Sequence, residues 1–598
     1  MLENKKVTLL LTGNEAIARG AYEAGVKVAT AYPGTPSTEI IENISKYKDI
    51  YCQWSVNEKV AVEVASGASL AGARVLVAMK HVGLNVASDP FITLAYTGVN
   101  GGFVIVTADD PYMHSSQNEQ DNRFYAKFAK VPMLEPADSQ EALDLTREAF
   151  KISENFDTPV LLRTTTRISH SRSIVITGSR IEVAGRKYQK DAEKYVMIPA
   201  YGRIRHKVLL ERWERLKDFC ENEKFHEVFN PEGKDAVNDI GIITSGVSYQ
   251  YAREIFYNIP ILKLRITNPL PKKVIENFSK GKRLIIVVEE LEPFLEEQIK
   301  LLNLGVQITG KDFFPQTGEL NPAILEEVYN QLFGKDFLSI DSSYTLKDEL
   351  IKDLPLRPPV LCAGCPHRSV FYVLKKLKVK AMGDIGCYTL SVLPPLSALD
   401  SCLCMGAGIG QALGMEKADP DLKNKVVSII GDSTFFHSGI TPMIDNSYNN
   451  GTGLIIILDN GTTAMTGHQA HPGAGKTLMG TDTAVLKPEA FAAAAGIKNI
   501  RVVDPYDLET LEKILKEEIE RKELSVVICR RKCVLLDREK ISSKFYIDEN
   551  TCDRCGICVK FGCPAIELRG KNYLINEILC TGCGVCIDVC RSNSIKKK

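Results

Sequence analysis

The stretch Val426-Val-Ser-Ile-Ile430-Gly431-Asp432-Ser433, with its counterpart Leu454-Ile-Ile-Ile-Leu458-Asp459-Asn460-Gly461-Thr462, decides how the chain folds. Both open with a short, nearly continuous aliphatic run, the pattern of a strand covered by helices on both faces of a parallel sheet. Both end in small, acidic and amide residues. Open α/β sheets bind ligands outside the carboxyl ends of their strands, so Asp432 and Asn460 are expected at a binding edge. Runs of the same kind at 74–79, 102–107, 159–163, 240–244, 284–288 and 525–529 alternate with helical patterns. The predicted class is α/β, multidomain, with parallel sheets flanked by helices.

At 598 residues the chain is too long for one core, and a composition of 44% hydrophobic and 25% charged residues is that of ordinary globular domains. Lys plus Arg equals Asp plus Glu at 74 each. That balance removes the electrostatic footprint of a nucleic-acid or anionic-membrane binder. No apolar run approaches the roughly 20 residues that span a bilayer, so a cytoplasmic protein acting on small molecules is expected. Composition shifts cut the chain near 180, 236, 350 and 541 and leave 181–235 as a charged linker region with weak periodicity.

Eight of the 17 cysteines lie beyond residue 551, as Cys552-x2-Cys555-x2-Cys558-x4-Cys563-Pro564 and Cys580-x2-Cys583-x2-Cys586-x3-Cys590. Two-residue spacing with Gly556, Gly582 and Gly584 lets a tight loop bring three sulfurs onto one cubane, and the motif recurs after 28 residues. The stretch resembles a bacterial-type two-cluster ferredoxin domain. That resemblance implies two 4Fe-4S clusters with crossed ligands: Cys552, Cys555, Cys558 and Cys590 on one, and Cys580, Cys583, Cys586 and Cys563 on the other. One departure stands out: four residues, not three, precede Cys563.

Gly431-Asp432-Ser433 and Asp459-Asn460, with Asn460 29 positions after Gly431, look like the thiamine diphosphate motif. Ser433 replaces its second glycine and Asp459 its first asparagine. Asp432, Asn460 and Thr462 are hard oxygen donors suited to Mg²⁺ bridging a diphosphate, and Ser433 is expected beside it. Asn449-Asn450 precedes the second strand and is rejected as the metal pair. A thiamine enzyme also needs a glutamate against the pyrimidine N1′, because protonation there makes the 4′-amino group a base toward the thiazolium C2. Glu58, at the head of a helix rich in small residues, is preferred over Glu63, which lies five residues on and on another face.

Ala31-Tyr-Pro-Gly-Thr-Pro-Ser-Thr38 resembles the Tyr-Pro-x-Thr-Pro-Ser stretch of the 2-oxoacid:ferredoxin oxidoreductases, and Thr35 matches the threonine beside cofactor and substrate. Met79-Lys-His-Val-Gly-Leu-Asn85, Ala108-Asp-Asp-Pro111 with Ser115-Ser-Gln-Asn-Glu-Gln-Asp121, Leu361-Cys-Ala-Gly-Cys-Pro-His367 and Ala464-Met-Thr-Gly-His-Gln469 narrow the likeness to large (alpha) subunits of the indolepyruvate branch. The resemblance implies a pyrimidine-binding domain at 1–180, a transketolase-C-like domain at 236–345, a diphosphate-binding domain at 350–540 and the ferredoxin-like domain at 541–598. It implies oxidative decarboxylation of aryl 2-oxo acids to aryl-acyl-CoA and CO₂, with coenzyme A as co-substrate, ferredoxin as acceptor and a small (beta) subunit in a heterotetramer of two large and two small subunits.

Cys362, Cys365, Cys387 and Cys533 match the ligands of a further cluster next to thiamine in related enzymes, which is expected here as a third cluster. Cys402, Cys404 and Cys529 read as core residues, and His81, His114 and His468 as structural histidines. The alternatives are the same reaction on another 2-oxo acid, a non-redox thiamine decarboxylase or synthase, to which the tail would be useless, and an electron-transfer scaffold.

Overall fold

The computed structural model describes residues 7–183, 186–232, 234, 236–334, 358–537 and 544–598. The domain cuts expected near 350 and 541, with most of Pro355-Leu-Arg-Pro-Pro359, lie outside them. Two compact units are formed, Met1–Leu346 and Lys347–Lys598.

In the first unit a seven-stranded sheet runs in the order Ile266–Asn268, Met133–Leu134, Val160–Thr165, Phe103–Asp109, Val75–Lys80, Val28–Ala31, Tyr51–Trp54. All neighbours are parallel except the first pair. A five-stranded sheet follows in the order Gln307–Thr309, Leu284–Val288, Ile240–Ser245, Ile261–Leu264, His226–Phe229, with only the last strand antiparallel. One residue after Leu264 the chain therefore leaves this sheet to pair with Met133–Leu134. Buried arginines hold the crossing: Arg123 bonds Asp121 at 2.5 Å and Glu289 at 2.6 Å, and Arg163 bonds Asp109 at 2.7 Å and Glu135 at 2.6 Å.

Within the charged stretch expected as a linker stands the helix Pro199–Phe219. Its buried face is Arg205, Leu209, Arg212 and Leu216, so half of the inward positions are charged and no apolar period shows in the sequence. The arginines satisfy carbonyls at the end of the helix Ser88–Thr97: Arg205 Nε donates to Tyr96 O at 2.9 Å and Arg212 Nη1 to Ala95 O at 2.7 Å. Such carbonyls have no partner within their own helix.

In the second unit six parallel strands run in the order Ser401–Cys402, Lys380–Gly383, Val426–Gly431, Leu454–Asp459, Ser525–Arg530, Asn499–Val503. The cysteine-rich tail adds two small antiparallel pairs, Phe545–Ile547 with Ile595–Lys597 and Ile566–Arg569 with Asn572–Ile575. Cys529 is buried inside its strand, as expected. Cys402 and Cys404, expected in the core, are exposed, because Ser401–Cys402 is a two-residue edge strand.

Candidate active site and cysteine chain

Pairing of Gly431 with Leu458 brings Asp432 and Asn460 out side by side at the strand ends. Asp432 is buried and almost saturated: Oδ2 accepts the N–H groups of Asn460 (3.0 Å) and Gly461 (2.7 Å), Oδ1 that of Ser433 (2.8 Å), and His471 Nε2 lies 3.1 Å from Oδ2. Burial opposes the charge, but His471 and the N–H donors outweigh it and hold the carboxyl below its usual range. Burial and the nearby Asp432 lift Asp459, against the pull of Arg530 at 2.7 Å.

Asn460 Nδ2 donates to Nε2 of His367 at 3.2 Å, and Thr462 N–H donates to Asn460 Oδ1 at 3.1 Å. Burial pushes His367 down to about 4, so its ring is neutral and can accept that bond. Ser433 Oγ lies 2.8 Å from Thr463 Oγ1. Asp432, Ser433, Asn460 and Thr462 thus form one buried group of hard oxygen donors, a set that fits Mg²⁺ and a diphosphate. Asn449 instead bonds back to Asp445 O at 2.9 Å at the end of the helix Ile440–Tyr448, away from the strand ends.

In the first unit, Glu58 opens the helix Glu58–Leu70, which Asn57 caps through Val60 N–H at 2.9 Å. Its carboxylate is buried beneath Gly83, where an added Cβ would come within 2.6 Å of Oε1. Glu63 lies on the surface, paired with Lys59. The loop carrying Thr35 abuts Lys80, whose Nζ donates to Ser115 O at 2.5 Å, and Ser115 Oγ donates to Thr35 O at 3.3 Å. Burial lowers Lys80 to about 8, against the opposing pull of Asp110 and Glu58.

His81 is buried with Nε2 3.2 Å from both oxygens of Asn118, and His114 meets Glu319 at 3.2 Å near the surface. His468 Nε2 lies 3.6 Å from Cys533 Sγ. Lys80, His367 and His471 join the site without a sequence signal that assigns them a role. Lys80 and His367 stand inside quoted motifs, whereas His471 follows one by two residues and carries no spacing of its own.

Among the described residues no three Cys, His, Asp or Glu side chains close on one point as ligands of a single ion. The tail cysteines instead line two cavities: one is edged by Cys552, Cys555, Cys558 and Cys590, the other by Cys563, Cys580, Cys583 and Cys586. Cys365 lines the second cavity as well. Cys362, Cys365, Cys387 and Cys533 lie near enough to act on one another electrostatically, and burial raises Cys387 to about 11 and Cys365 to about 12. Cys533 N–H donates to Asn460 O at 3.0 Å, which ties this group to the strand-end site.

The chain is 41% identical over 622 residues to the indolepyruvate oxidoreductase subunit IorA of Archaeoglobus fulgidus, covering 99% of this chain and 98% of that one. It is 42% identical to the IorA subunit of Pyrococcus horikoshii, covering 93% and 92%, and 40% identical to that of Methanothermobacter thermautotrophicus, covering 98% and 97%. The chain belongs to the IorA family of indolepyruvate oxidoreductase subunits.

Family models add the parts. Residues 19–209 match "Pyruvate flavodoxin/ferredoxin oxidoreductase, thiamine diP-bdg", residues 384–529 "Thiamine pyrophosphate enzyme, C-terminal TPP binding domain", and residues 544–591 "4Fe-4S dicluster domain". This member of the IorA family is a thiamine diphosphate-dependent 2-oxoacid:ferredoxin oxidoreductase with a 4Fe-4S dicluster domain.

Proposed function

We infer that the substrates are aryl 2-oxo acids of the indolepyruvate and phenylpyruvate type, converted to aryl-acyl-CoA and CO₂ with electrons leaving to ferredoxin. The observation that carries this reading is near full-length kinship with chains named for indolepyruvate. Asp432, Asn460 and Thr462 would hold Mg²⁺ and, with Ser433, the diphosphate. Bound thiamine supplies the electron sink for decarboxylation. Glu58, buried and carboxylate-bearing, would hold the proton exchanged with N1′, and Thr35 and Lys80 would line the substrate side. Cys552, Cys555, Cys558 and Cys590 would ligate one cluster, Cys563, Cys580, Cys583 and Cys586 the second, and Cys362, Cys365, Cys387 and Cys533 a third beside the strand-end site.

The same reading keeps the domain division 1–180, 236–345, 350–540 and 541–598, and a small (beta) subunit in an assembly of two large and two small chains. No described helix is long and apolar enough to cross a membrane, and a cytoplasmic location goes with the reading.

The test is viologen reduction by anaerobically purified chain with its small subunit, thiamine diphosphate, Mg²⁺ and coenzyme A. Indolepyruvate and phenylpyruvate should be preferred over pyruvate and 2-oxoglutarate, and aryl-acyl-CoA should accumulate. Preference for an aliphatic acid would move the substrate class, and decarboxylation without viologen reduction would favour non-redox chemistry.

Lys80 makes a separate prediction. With its pKa lowered to about 8, it is cationic below that pH and can meet the substrate carboxylate, so kcat/KM should fall as pH rises through about 8. Arginine stays charged, so Lys80→Arg should carry activity above pH 9. An unchanged alkaline limb in that variant would remove Lys80 from the substrate side.

A further inference from the structure

The extra residue before Cys563 has a place in the fold. In the spacer 559–562, Phe561 is buried and packs edge-on against Tyr372, ring centroids 5.4 Å apart, and the Gly562 carbonyl accepts a hydrogen bond from Arg368 Nη1. Gly562 sits at φ 77°, and a Cβ there would come 2.9 Å from Pro395 Cγ and 3.2 Å from Arg368 Nη1. The lengthened loop is thereby drawn onto the helix His367–Leu377, which carries Arg368 in its first turn.

Arg368 is only 3% exposed. Its Nη2 donates to Leu361 O at 2.6 Å and Cys362 O at 3.0 Å, while Nε has no acceptor among the described residues. No carboxylate among the described residues pairs with it; the ionisable groups that act on it most strongly are Cys563, Cys365, Cys362 and Cys583. It lines the cavity edged by Cys563, Cys580, Cys583 and Cys586, together with Cys365. A buried guanidinium without a counter-ion is unfavourable, and a thiolate-ligated cluster is an anion that becomes more negative on reduction.

We propose that Arg368 is the counter-charge of the cluster completed by Cys563, and that it raises that cluster's reduction potential. Arg368 is on this account a positioning residue: it draws the Cys563 loop down and biases where electrons rest without touching substrate. Cluster potentials respond to local charge and hydrogen bonding. Gly562, the last residue of that spacer, is the one that meets Arg368. The proposal rests on the assignment of Cys563, Cys580, Cys583 and Cys586 to one cluster.

The test is a redox titration followed by EPR on the complete anaerobic complex, comparing wild type with Arg368→Gln and Arg368→Lys, with iron and sulfide counted in each. Cys563→Ser identifies the signal of the affected cluster, and failure of that variant to perturb a single signal would overturn the ligand assignment itself. With the assignment intact, Arg368→Gln should weaken reduction of that cluster about tenfold, which is about 59 mV for a one-electron couple, while the cluster of Cys552, Cys555, Cys558 and Cys590 stays put. Arg368→Lys should remain near wild type. Loss of the cluster in Arg368→Gln but not in Arg368→Lys supports the counter-charge role, because the two variants differ in charge while both can donate to the carbonyls. An unchanged potential in Arg368→Gln, or loss of the cluster in both variants, overturns it.

Discussion

Replacing Asp432 with alanine should abolish Mg²⁺-dependent thiamine diphosphate binding and all viologen reduction, with the tail clusters still present by EPR. Two effects act together. The substitution removes the one carboxylate of the proposed metal site, and losing even an outer-shell partner lowers metal affinity by roughly 10–100-fold. It also strands the buried N–H groups of Ser433, Asn460 and Gly461, each at about 1–3 kcal/mol. Calorimetric titration of thiamine diphosphate with Mg²⁺ should show affinity reduced by at least about 100-fold, the upper end of that outer-shell range. Tight binding retained in the variant would remove Asp432 from the metal site. Asp432→Asn separates the contributions: it keeps the shape but turns an N–H₂ group toward backbone donors on one side, so it should bind better than Asp432→Ala and far worse than wild type.

Glu58→Gln should behave differently. Affinity for thiamine diphosphate and cluster content should hold while kcat falls by roughly 10²–10⁴, the range for removing a positioned acid–base group. The direct readout is NMR exchange of the C2 proton of bound thiamine, which should slow in parallel with kcat. Glu63→Gln is the control: that side chain is about half exposed and, among the described residues, pairs only with Lys59, so it should leave both rates unchanged. If exchange in Glu58→Gln matches wild type, the proton-holding group is elsewhere. Gly83→Ala should slow exchange as well, because its Cβ would press on Glu58 Oε1.

The parallel sheets were readable because doubly covered strands leave runs such as Leu454-Ile-Ile-Ile-Leu458, too short for a buried helix and rich in β-branched residues. Two-residue gaps group Cys552, Cys555 and Cys558 in one triplet and Cys580, Cys583 and Cys586 in another, whereas the crossing of Cys590 and Cys563 between them is what the resemblance to two-cluster ferredoxins implies, and the two cavities are lined in that crossed way. The helix Pro199–Phe219 escaped because its inward face is half arginine, and a hydrophobic period cannot register a helix docked by hydrogen bonds. His471 and His367 escaped because they reach Asp432 and Asn460 across 39 and 93 residues. Tertiary contact alone brings them in. The exposure of Cys402 and Cys404 turned on sheet order, which places their strand at an edge.

The strand Ile266–Asn268 bears on how the chain is made. It caps Met133–Leu134, the border strand of the first sheet, yet it is synthesised well after residues 19–209, the span matched by the pyruvate oxidoreductase family model. Until then that border presents unpaired backbone groups, a template for pairing with another nascent chain. A fragment ending near residue 209 should therefore self-associate where one ending beyond 268 and carrying the second sheet does not. During synthesis the first sheet would then have to wait for its neighbour before that border is closed.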